Sequence, residues 1–189
     1  MIKNLVFLLE EKSARNMLEQ IVPSIIDIKN ISVYYFDFNG KSDLKKNIEL
    51  KMRFWKLKDT FFIILQDQDA NDCKILKSEL VSKCEASGRK HYLVRIACRE
   101  LESFYFGNLM AVERALLIPG LANKYKNTKR FRSPDDIVSP GQHLIEITKG
   151  KYIKTTGSTE IGKYLMRDDN KSNSFNILVS GIRKTLVLT

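Results

Sequence analysis

In the first half of the chain, short runs of consecutive apolar residues alternate with longer segments in which apolar residues recur every three or four positions. A short run that is apolar throughout is typical of a strand buried on both faces of a sheet, and the longer period is typical of a helix with one buried face. The pattern predicts four strands, over residues 5–10, 31–38, 60–66 and 91–97. Strands that alternate with helices favour a mainly parallel α/β sheet flanked by helices.

Each helix predicted between these strands has one apolar stripe. The first helix follows Ser13, and Pro23 is expected to end or kink it. The second extends over residues 42 to about 58, and the third is capped by Asp72 and stops at Gly88. The apolar stripes of the second and third helices are Leu44, Ile48, Met52 and Trp55, and Cys73, Leu76, Leu80 and Cys84.

After the fourth strand the pattern predicts only helices. Two are expected over residues 100–106 and 109–117, and two more start at the Ser-Pro pairs 133–134 and 139–140, because Ser favours the cap and Pro the first turn. A further short helix is expected after Ser158. The final helix, capped by Ser172 or Ser174, has as its apolar face Phe175, Leu178, Val179, Ile182 and Leu186.

This change of character divides the chain into two predicted parts. Residues 1–118 are predicted to form the α/β core, and residues 119–189 a C-terminal helical appendage packed on it. At 189 residues the chain is long enough for one ordinary domain, so we expect the two parts to form a single compact unit.

The composition indicates which binding partners and which cellular compartment to expect. The net charge is +10, from 32 basic and 22 acidic residues, which suits a polyanionic substrate, although solubility alone also accounts for it. No apolar run reaches the roughly 20 residues needed to cross a bilayer, so we expect a cytoplasmic protein with no membrane partner. The three cysteines, Cys73, Cys84 and Cys98, lack zinc-site spacing and are expected to be buried, reduced thiols.

Carboxylates follow two of the predicted strands at the point where each apolar run stops. The first run ends at Glu10-Glu11 and the third at Asp67-Gln68-Asp69. Because strand-to-helix turns of a parallel sheet lie along one edge, these acids are expected to converge there. If the backbone stays extended, Asp67 and Asp69 point the same way. Carboxylates without a nearby His favour Mg²⁺ or Mn²⁺, although acids at such turns also serve simply to cap helices.

Six segments of the chain together resemble a known family. They are FLLEEKS (7–13), GKSDL (40–44), LQDQDANDC (65–73), VRIACRELESFYFG (94–107), KRFRSPDD (129–136) and NKSNSF (170–175). A Glu after the first strand and a DxD after a later one resemble the Toprim domain of topoisomerases, primases and overcoming-lysogenization-defect nucleases. The chain is more similar still to a small bacterial family of Toprim-like proteins encoded beside ABC/SMC-type ATPases in anti-phage operons.

The resemblance implies a metal-dependent nuclease that acts as the effector of a partner ATPase. By position, Glu10 would be the acid–base or metal-site glutamate, Asp67 and Asp69 the metal ligands, and Glu102 a further acid at the next strand end. The sequence departs from the larger Toprim families at Glu11, where those families usually have Gly.

Other polar residues are candidates for supporting roles. Glu11, Asp72 and Glu100 are further acids near the strand ends, and Lys41 follows a Gly turn beside them. Arg95 lies inside an apolar strand and is expected to pair with a buried acid. The basic residues expected to contact nucleic-acid phosphates, with a solvated loop as the alternative, are Lys129, Arg130 and Arg132.

Three functions are compatible with these features. The first is a nuclease of DNA or RNA, in which a divalent ion polarises a phosphoryl oxygen and lowers the pKa of a bound water. The second is a non-catalytic subunit that binds the ATPase. The third is a response-regulator receiver domain, which ranks low because residues 97–100 lack the Ser or Thr that such a domain needs after its fourth strand.

Overall fold

A four-stranded parallel sheet organises the N-terminal half of the chain. The structure is a computed structural model, and it describes residues 2–166 and 169–185. The strands are β1 (Asn4–Leu9), β2 (Ser32–Asp37), β3 (Thr60–Asp67) and β4 (Tyr92–Ala97), in the order β2-β1-β3-β4 with every neighbouring pair parallel. The mainly parallel α/β sheet predicted from the sequence is therefore confirmed, with strand ends within one residue of those expected.

Nine helices and two single-turn 3-10 helices are found in the described part of the chain. The helices are α1 (Lys12–Ile25), α2 (Lys41–Arg53), α3 (Cys73–Ala86), α4 (Glu102–Gly107), α5 (Leu109–Leu116), α6 (Leu121–Tyr125), α7 (Pro140–Ile147), α8 (Lys154–Leu165) and α9 (Asn173–Thr185). The 3-10 helices cover Lys129–Phe131 and Pro134–Asp136.

Alternation along the strands divides the core between the two faces of the sheet. Strand β3 is buried along its whole length. Its residues Phe61, Ile63 and Leu65 join a core with α1 and the C-terminal helices, whereas Phe62 and Ile64 join a second core with α2 and α3. Asp67 follows Leu65 at the next position but one, so the strand alternation places it on the C-terminal-helix side of the sheet.

The segment after residue 118 packs on the N-terminal half. Helix α8 packs against α1 and α5, and α9 packs against β4. The core on this face includes Phe131, Leu144, Ile161 and Leu178 together with residues of β1 and β3. The division at residues 118 and 119 stays a prediction.

Several elements differ from the sequence prediction; the helix expected from Ser133-Pro134, for example, is only a single 3-10 turn over Pro134–Asp136. Helix α1 continues two residues past Pro23, and α2 ends at Arg53 rather than near residue 58. Trp55 of the predicted stripe therefore lies beyond the helix, where its indole N–H donates to Thr60 Oγ1 at 3.0 Å. Helix α8 begins at Lys154, four residues before the predicted cap Ser158. Ser158 lies inside the helix, where its hydroxyl donates a hydrogen bond to the Lys154 carbonyl.

Other sequence expectations fit the described residues. The apolar stripe of α3 is buried at Leu76, Leu80 and Cys84, and Gly88 has a positive φ of 77° just after the helix. All three cysteines are free, but only Cys84 is buried as expected; Cys73 and Cys98 are half-buried. The final residue of the predicted stripe of α9, Leu186, lies outside the described residues. No helix in the described ranges has the length and apolar character needed to cross a membrane.

Candidate functional site

The carboxyl ends of β1 and β3 bring two of the predicted acids into direct contact. Glu10 follows β1, and its Oε2 accepts a hydrogen bond from the backbone N–H of Asp67, the last residue of β3, at 3.1 Å. The carbonyl of Glu10 also accepts from the N–H of Gly40, which immediately precedes α2. Glu10 is thus held at the point where the ends of three strands meet, as the parallel topology requires.

Asp67 is a buried carboxyl among other acids. It is 8% exposed. Burial raises its pKa well above the ordinary value, and the nearby negative charges of Glu102, Glu10 and Glu11 raise it further, while Lys154 lowers it. The pKa of Glu10 is also raised, first by burial and then by Asp69 and Glu11, against the hydrogen bond from Asp67. Carboxyls with raised pKa values that lie close together are a common feature of functional sites.

Glu102 brings a third carboxylate to this group from α4. It begins that helix and is 1% exposed. Its Oε1 accepts a hydrogen bond from the hydroxyl of Tyr152 at 2.8 Å, whereas its Oε2 has no hydrogen-bond partner among the described residues. Burial raises the pKa of Glu102, although Lys154 and the Tyr152 hydroxyl oppose the rise. An unpartnered buried carboxylate oxygen is costly unless a cation or a ligand can use it.

Lys154 supplies positive charge to these acids and was not among the candidates predicted from the sequence. It is the first residue of α8, and its ammonium lies 2.8 Å from Glu11 Oε1. Burial lowers its pKa, but the carboxylates of Glu102, Glu11 and Asp67 outweigh burial and leave the pKa raised. The hydroxyl of Ser13 also donates to Glu11. The C-terminal helices therefore complete the charge balance at the sheet edge.

Sequence patterns gave no signal for Lys154 or Tyr152. Both lie more than 80 residues after the third strand, in a stretch whose Lys and Thr residues resemble an ordinary solvated helix start. Only the packing of α8 against α1 brings Lys154 to Glu11. A long-range contact of this kind has no periodicity by which a single sequence could reveal it.

Asp69 lies near Glu10, but its backbone does not have the extended conformation that was predicted. Strand β3 ends at Asp67, and Asp69 has a positive φ of 53°, so the premise of an extended backbone through both residues is wrong. The Asp69 N–H donates to the carbonyl of Arg99 at 2.7 Å, and Arg99 also has a positive φ of 61°. Lys41 lies 3.2 Å from Asp69 Oδ2, so this candidate supporting residue is ion-paired to an acid of the group.

Asp72, Arg95 and Glu100 have structural partners elsewhere. Asp72 caps α3, since its Oδ1 accepts from the N–H groups of the second and third residues of that helix. Arg95 does not show the expected pairing with a buried acid; its guanidinium donates to the backbone carbonyls of Val94 and Ile177, because α9 covers that part of β4. Glu100 accepts a hydrogen bond from the Gly141 N–H at 2.9 Å.

The predicted basic cluster contacts α7, whose first turn lies against Glu100 and Glu102. Lys129, Arg130 and Arg132 are exposed on and beside a 3-10 helix, and the Arg130 guanidinium is 2.9 Å from Nδ1 of His143. His143 lies in the first turns of α7, two residues after Gly141. A side chain on Gly141 would collide with Glu100 Oε2, 2.8 Å away, and lie 3.5 Å from the carboxyl carbon of Glu102. Helix α7 thus connects the basic cluster to Glu100 and Glu102.

The residues fit a hard divalent cation in their chemistry, although they are not already arranged around one. The donors are carboxylate oxygens, which Mg²⁺ and Mn²⁺ prefer, and Oε2 of Glu102 is available as a ligand. Across residues 2–166 and 169–185, no three His, Cys, Asp or Glu side chains are close enough to hold one ion together. Lys154 provides the cationic charge among these carboxylates in the observed arrangement.

Comparisons with known proteins give a family and a distant fold likeness. Residues 9–183 match the family described as domain of unknown function DUF4276. No curated protein matches the chain. Among solved structures, the chain is similar to the C-terminal region of the OLD protein of Xanthomonas campestris pv. campestris, at 14% sequence identity and a TM-score of 0.47, over 100% of this chain and 97% of that one.

Proposed function

We propose that this chain, which belongs to the DUF4276 family, is a divalent-metal-dependent nuclease that cleaves phosphodiester bonds in DNA or RNA. The observation that carries the proposal is that Asp67 is a buried carboxyl at the end of β3, whose pKa is raised by burial and then by the nearby charges of Glu102, which begins α4, and Glu10, which follows β1. Burying a carboxyl beside other acids costs folding free energy, and carboxyls with strongly shifted pKa values are concentrated at functional sites. The Toprim resemblance of the sequence supports the same activity.

The metal ligands would be Glu10, Asp67 and Glu102, with Asp69 as a fourth acid beside Glu10. A bound Mg²⁺ or Mn²⁺ would supply Lewis-acid polarisation of a phosphoryl oxygen and a lower pKa for water. The buried walls around Asp67 exclude bulk water and strengthen every charge interaction there. The hydrogen bond from Asp67 N–H fixes the orientation of the Glu10 carboxylate.

Lys154 and Lys41 are the cations that border the acids. Each is ion-paired to an acid of this group, Lys154 to Glu11 and Lys41 to Asp69. An ammonium that exchanges a carboxylate for a phosphate oxygen would neutralise the substrate where negative charge grows. We assign Lys154 this role ahead of Lys41, because Lys154 interacts with Asp67 and Glu102 as well as with Glu11.

Substrate binding would use the exposed basic residues that α7 connects to Glu100 and Glu102. Lys129, Arg130 and Arg132 are exposed, and the chain as a whole carries a net charge of +10. Lys and Arg that neutralise phosphates hold a nucleic acid in place without reading its sequence. Action as the effector of a partner ABC/SMC-type ATPase in phage defence belongs to the same proposal and is supported by the sequence resemblance.

A cleavage assay tests the proposal. The purified protein, alone and with a candidate ATPase partner, is incubated with single- and double-stranded DNA and with RNA, in Mg²⁺, in Mn²⁺ and in chelator. Cleavage should require the metal, should fall by about 10²–10⁴-fold in Glu10→Gln and Asp67→Asn, and should persist in Glu79→Gln, whose partner Lys45 lies on the surface of α2. Equal cleavage in all three folded variants would rule the assignment out.

The alternative is a non-catalytic subunit that binds a partner and uses its acids only for structure. The observation in its favour is that no three candidate ligands within the described ranges surround a common point. This alternative predicts that no nucleic acid is cleaved in Mg²⁺ or Mn²⁺, even with the partner present, whether or not the metal raises the melting temperature.

A further inference from the structure

An open apolar groove lies between α2 and the loop that follows it, on the side of the sheet away from the C-terminal helices. Its volume is about 530 Å³. It is lined by Phe38, Asn47, Leu50, Lys51, Phe54, Trp55, Lys56 and Leu57. Phe54 is 64% exposed and Leu50 is 50% exposed, which is unusual for large apolar side chains grouped at one place.

The base of the groove is closely packed by aromatic rings. The rings of Tyr34, Phe36 and Phe62 each pack edge-to-face against Trp55, with centroid separations of 5.2–6.2 Å. The Trp55 indole N–H donates to Thr60 Oγ1 at 3.0 Å. A surface that is fixed before binding loses little conformational entropy when a partner arrives.

The charged residues that line the groove are both lysines, Lys51 and Lys56. Arg53, outside the lining, is ion-paired to Glu49 and adds no free positive charge. The Lys51 ammonium is 3.7 Å from the centroid of the Phe36 ring, so one of the two lining lysines already rests on an aromatic face. An occupant that is apolar in the middle and acidic at its edges would complement this surface.

We infer that the groove is a docking site for an acidic amphipathic helix of a partner protein. The helix would place apolar side chains on Leu50, Phe54 and Leu57 and carboxylates beside Lys51 and Lys56. A nucleic-acid strand fits less well, because the exposed lining is mainly apolar, with Leu50, Phe54 and Leu57, and contains only two lysines. The inference goes beyond the proposed nuclease activity and does not depend on it.

The experiment uses Trp55, the one tryptophan in the sequence, as the reporter. The probe is a synthetic, tryptophan-free amphipathic peptide of about 15 residues, long enough to form a helix on binding, with Leu and Phe on one face and Glu on the other. Its controls are a scrambled peptide, a peptide with Lys in place of Glu, and a single-stranded oligonucleotide. The full-length protein is titrated with each while Trp55 fluorescence is recorded.

We expect the acidic peptide to shift the Trp55 emission and to bind at least about tenfold more tightly than its controls. Leu50→Glu, Phe54→Glu and Lys56→Glu should each weaken binding by about tenfold or more. The matched control Ile75→Glu, at a 72% exposed position on α3 outside the groove, should bind as the wild type does. Melting temperatures would show that each variant is folded.

Three results would overturn the inference. The first is equal or absent binding of the acidic peptide and its scrambled form. The second is preferential binding of the oligonucleotide, weakened by the groove variants. The third is concentration-dependent self-association of the protein that Phe54→Glu abolishes, which would assign the groove to a second copy of this chain.

Discussion

The ammonium of Lys154 lies 2.8 Å from the carboxylate of Glu11, and this contact joins the first residue of α8 to the residue just before α1. The same ammonium interacts with the buried carboxyls of Glu102 and Asp67. The charges of the acids at the sheet edge are therefore coupled to a lysine of the C-terminal helices. Any divalent cation that enters this group must share its carboxylates with Lys154.

Lys154→Met should lower stability in the absence of divalent ions, because it leaves the charges of Glu11 and Glu102 without compensation. It should also enlarge the rise in melting temperature that Mg²⁺ or Mn²⁺ produces, because a competing cation has been removed. For a chain of this length, each kcal/mol corresponds to about 2–4 °C in melting temperature. Thermal unfolding with and without metal measures both effects.

The control is Lys163→Met on the same helix, which removes a surface ion pair with Glu160. Exposed pairs of this kind contribute only about 0–1 kcal/mol. If the two lysine variants lose the same stability and respond equally to metal, Lys154 is an ordinary surface lysine.

Asp67→Asn should stabilise the protein at neutral pH. Burial and nearby acids raise the pKa of Asp67, so between its unfolded and folded pKa values the folded protein binds more protons than the unfolded chain. The free energy of unfolding of the wild type therefore falls as pH rises through that window. The amide of Asp67→Asn does not titrate, so the variant does not lose this free energy. The advantage of the variant should disappear below a pH of about 4, where the wild-type carboxyl is protonated in both states.

Denaturant unfolding across a pH series measures this difference. The variant should also lose most of the stabilisation that Mg²⁺ or Mn²⁺ gives the wild type. A variant that is less stable than the wild type at pH 7 would mean that the Asp67 carboxylate is held by favourable contacts rather than crowded by other acids.

Tyr152→Phe should cost about 1–3 kcal/mol of unfolding free energy, because it leaves the buried Glu102 carboxylate without its hydroxyl donor. A double-mutant cycle with Glu102→Gln separates this bond from other effects of the ring. We expect a coupling energy within the range of about 0.5–3 kcal/mol found for residues in contact. If the loss of unfolding free energy in the double variant equals the sum of the two single losses to within about 0.5 kcal/mol, the two side chains do not interact.

The double variant Lys129→Ala/Arg132→Ala should weaken nucleic-acid binding without changing the fold. Each lost phosphate contact should reduce the steepness of the salt dependence by about 0.9 on duplex DNA and about 0.7 on single strands. Fluorescence anisotropy over a range of salt concentrations measures this slope. Lys74→Ala/Lys77→Ala, at exposed positions of α3, is the matched control, and an equal change in both double variants would make the effect one of net charge alone.

The sheet could be predicted because its strands are short, apolar and bounded by polar residues. Burial of residues 61–65 of β3, for example, follows directly from an uninterrupted apolar run. The same reasoning placed Glu10 and Asp67 at the ends of neighbouring strands, where the hydrogen bond between them is found. Helix ends were less predictable, since Trp55 continues the apolar period of α2 but packs from a loop.

The rest of the site depends on conformations and contacts that no local pattern specifies. The left-handed backbone at Asp69 reorients its side chain, although the residue pair suggested an extended strand. Lys154 and Tyr152 reach the acids only because α8 packs on α1 and α5. Pairings between residues so far apart in sequence follow from tertiary packing, and a single chain carries no periodic signal for them.

The most direct test of the account is to locate Mn²⁺ by its anomalous scattering in crystals of the protein grown or soaked with the ion. The account predicts one strong peak bounded by carboxylate oxygens of Glu10, Asp67 and Glu102, with the Lys154 ammonium displaced from its present position, and no such peak in Asp67→Asn. A peak elsewhere, or none at saturating Mn²⁺ with the three carboxylates unmoved, would contradict the claim that these acids hold a metal.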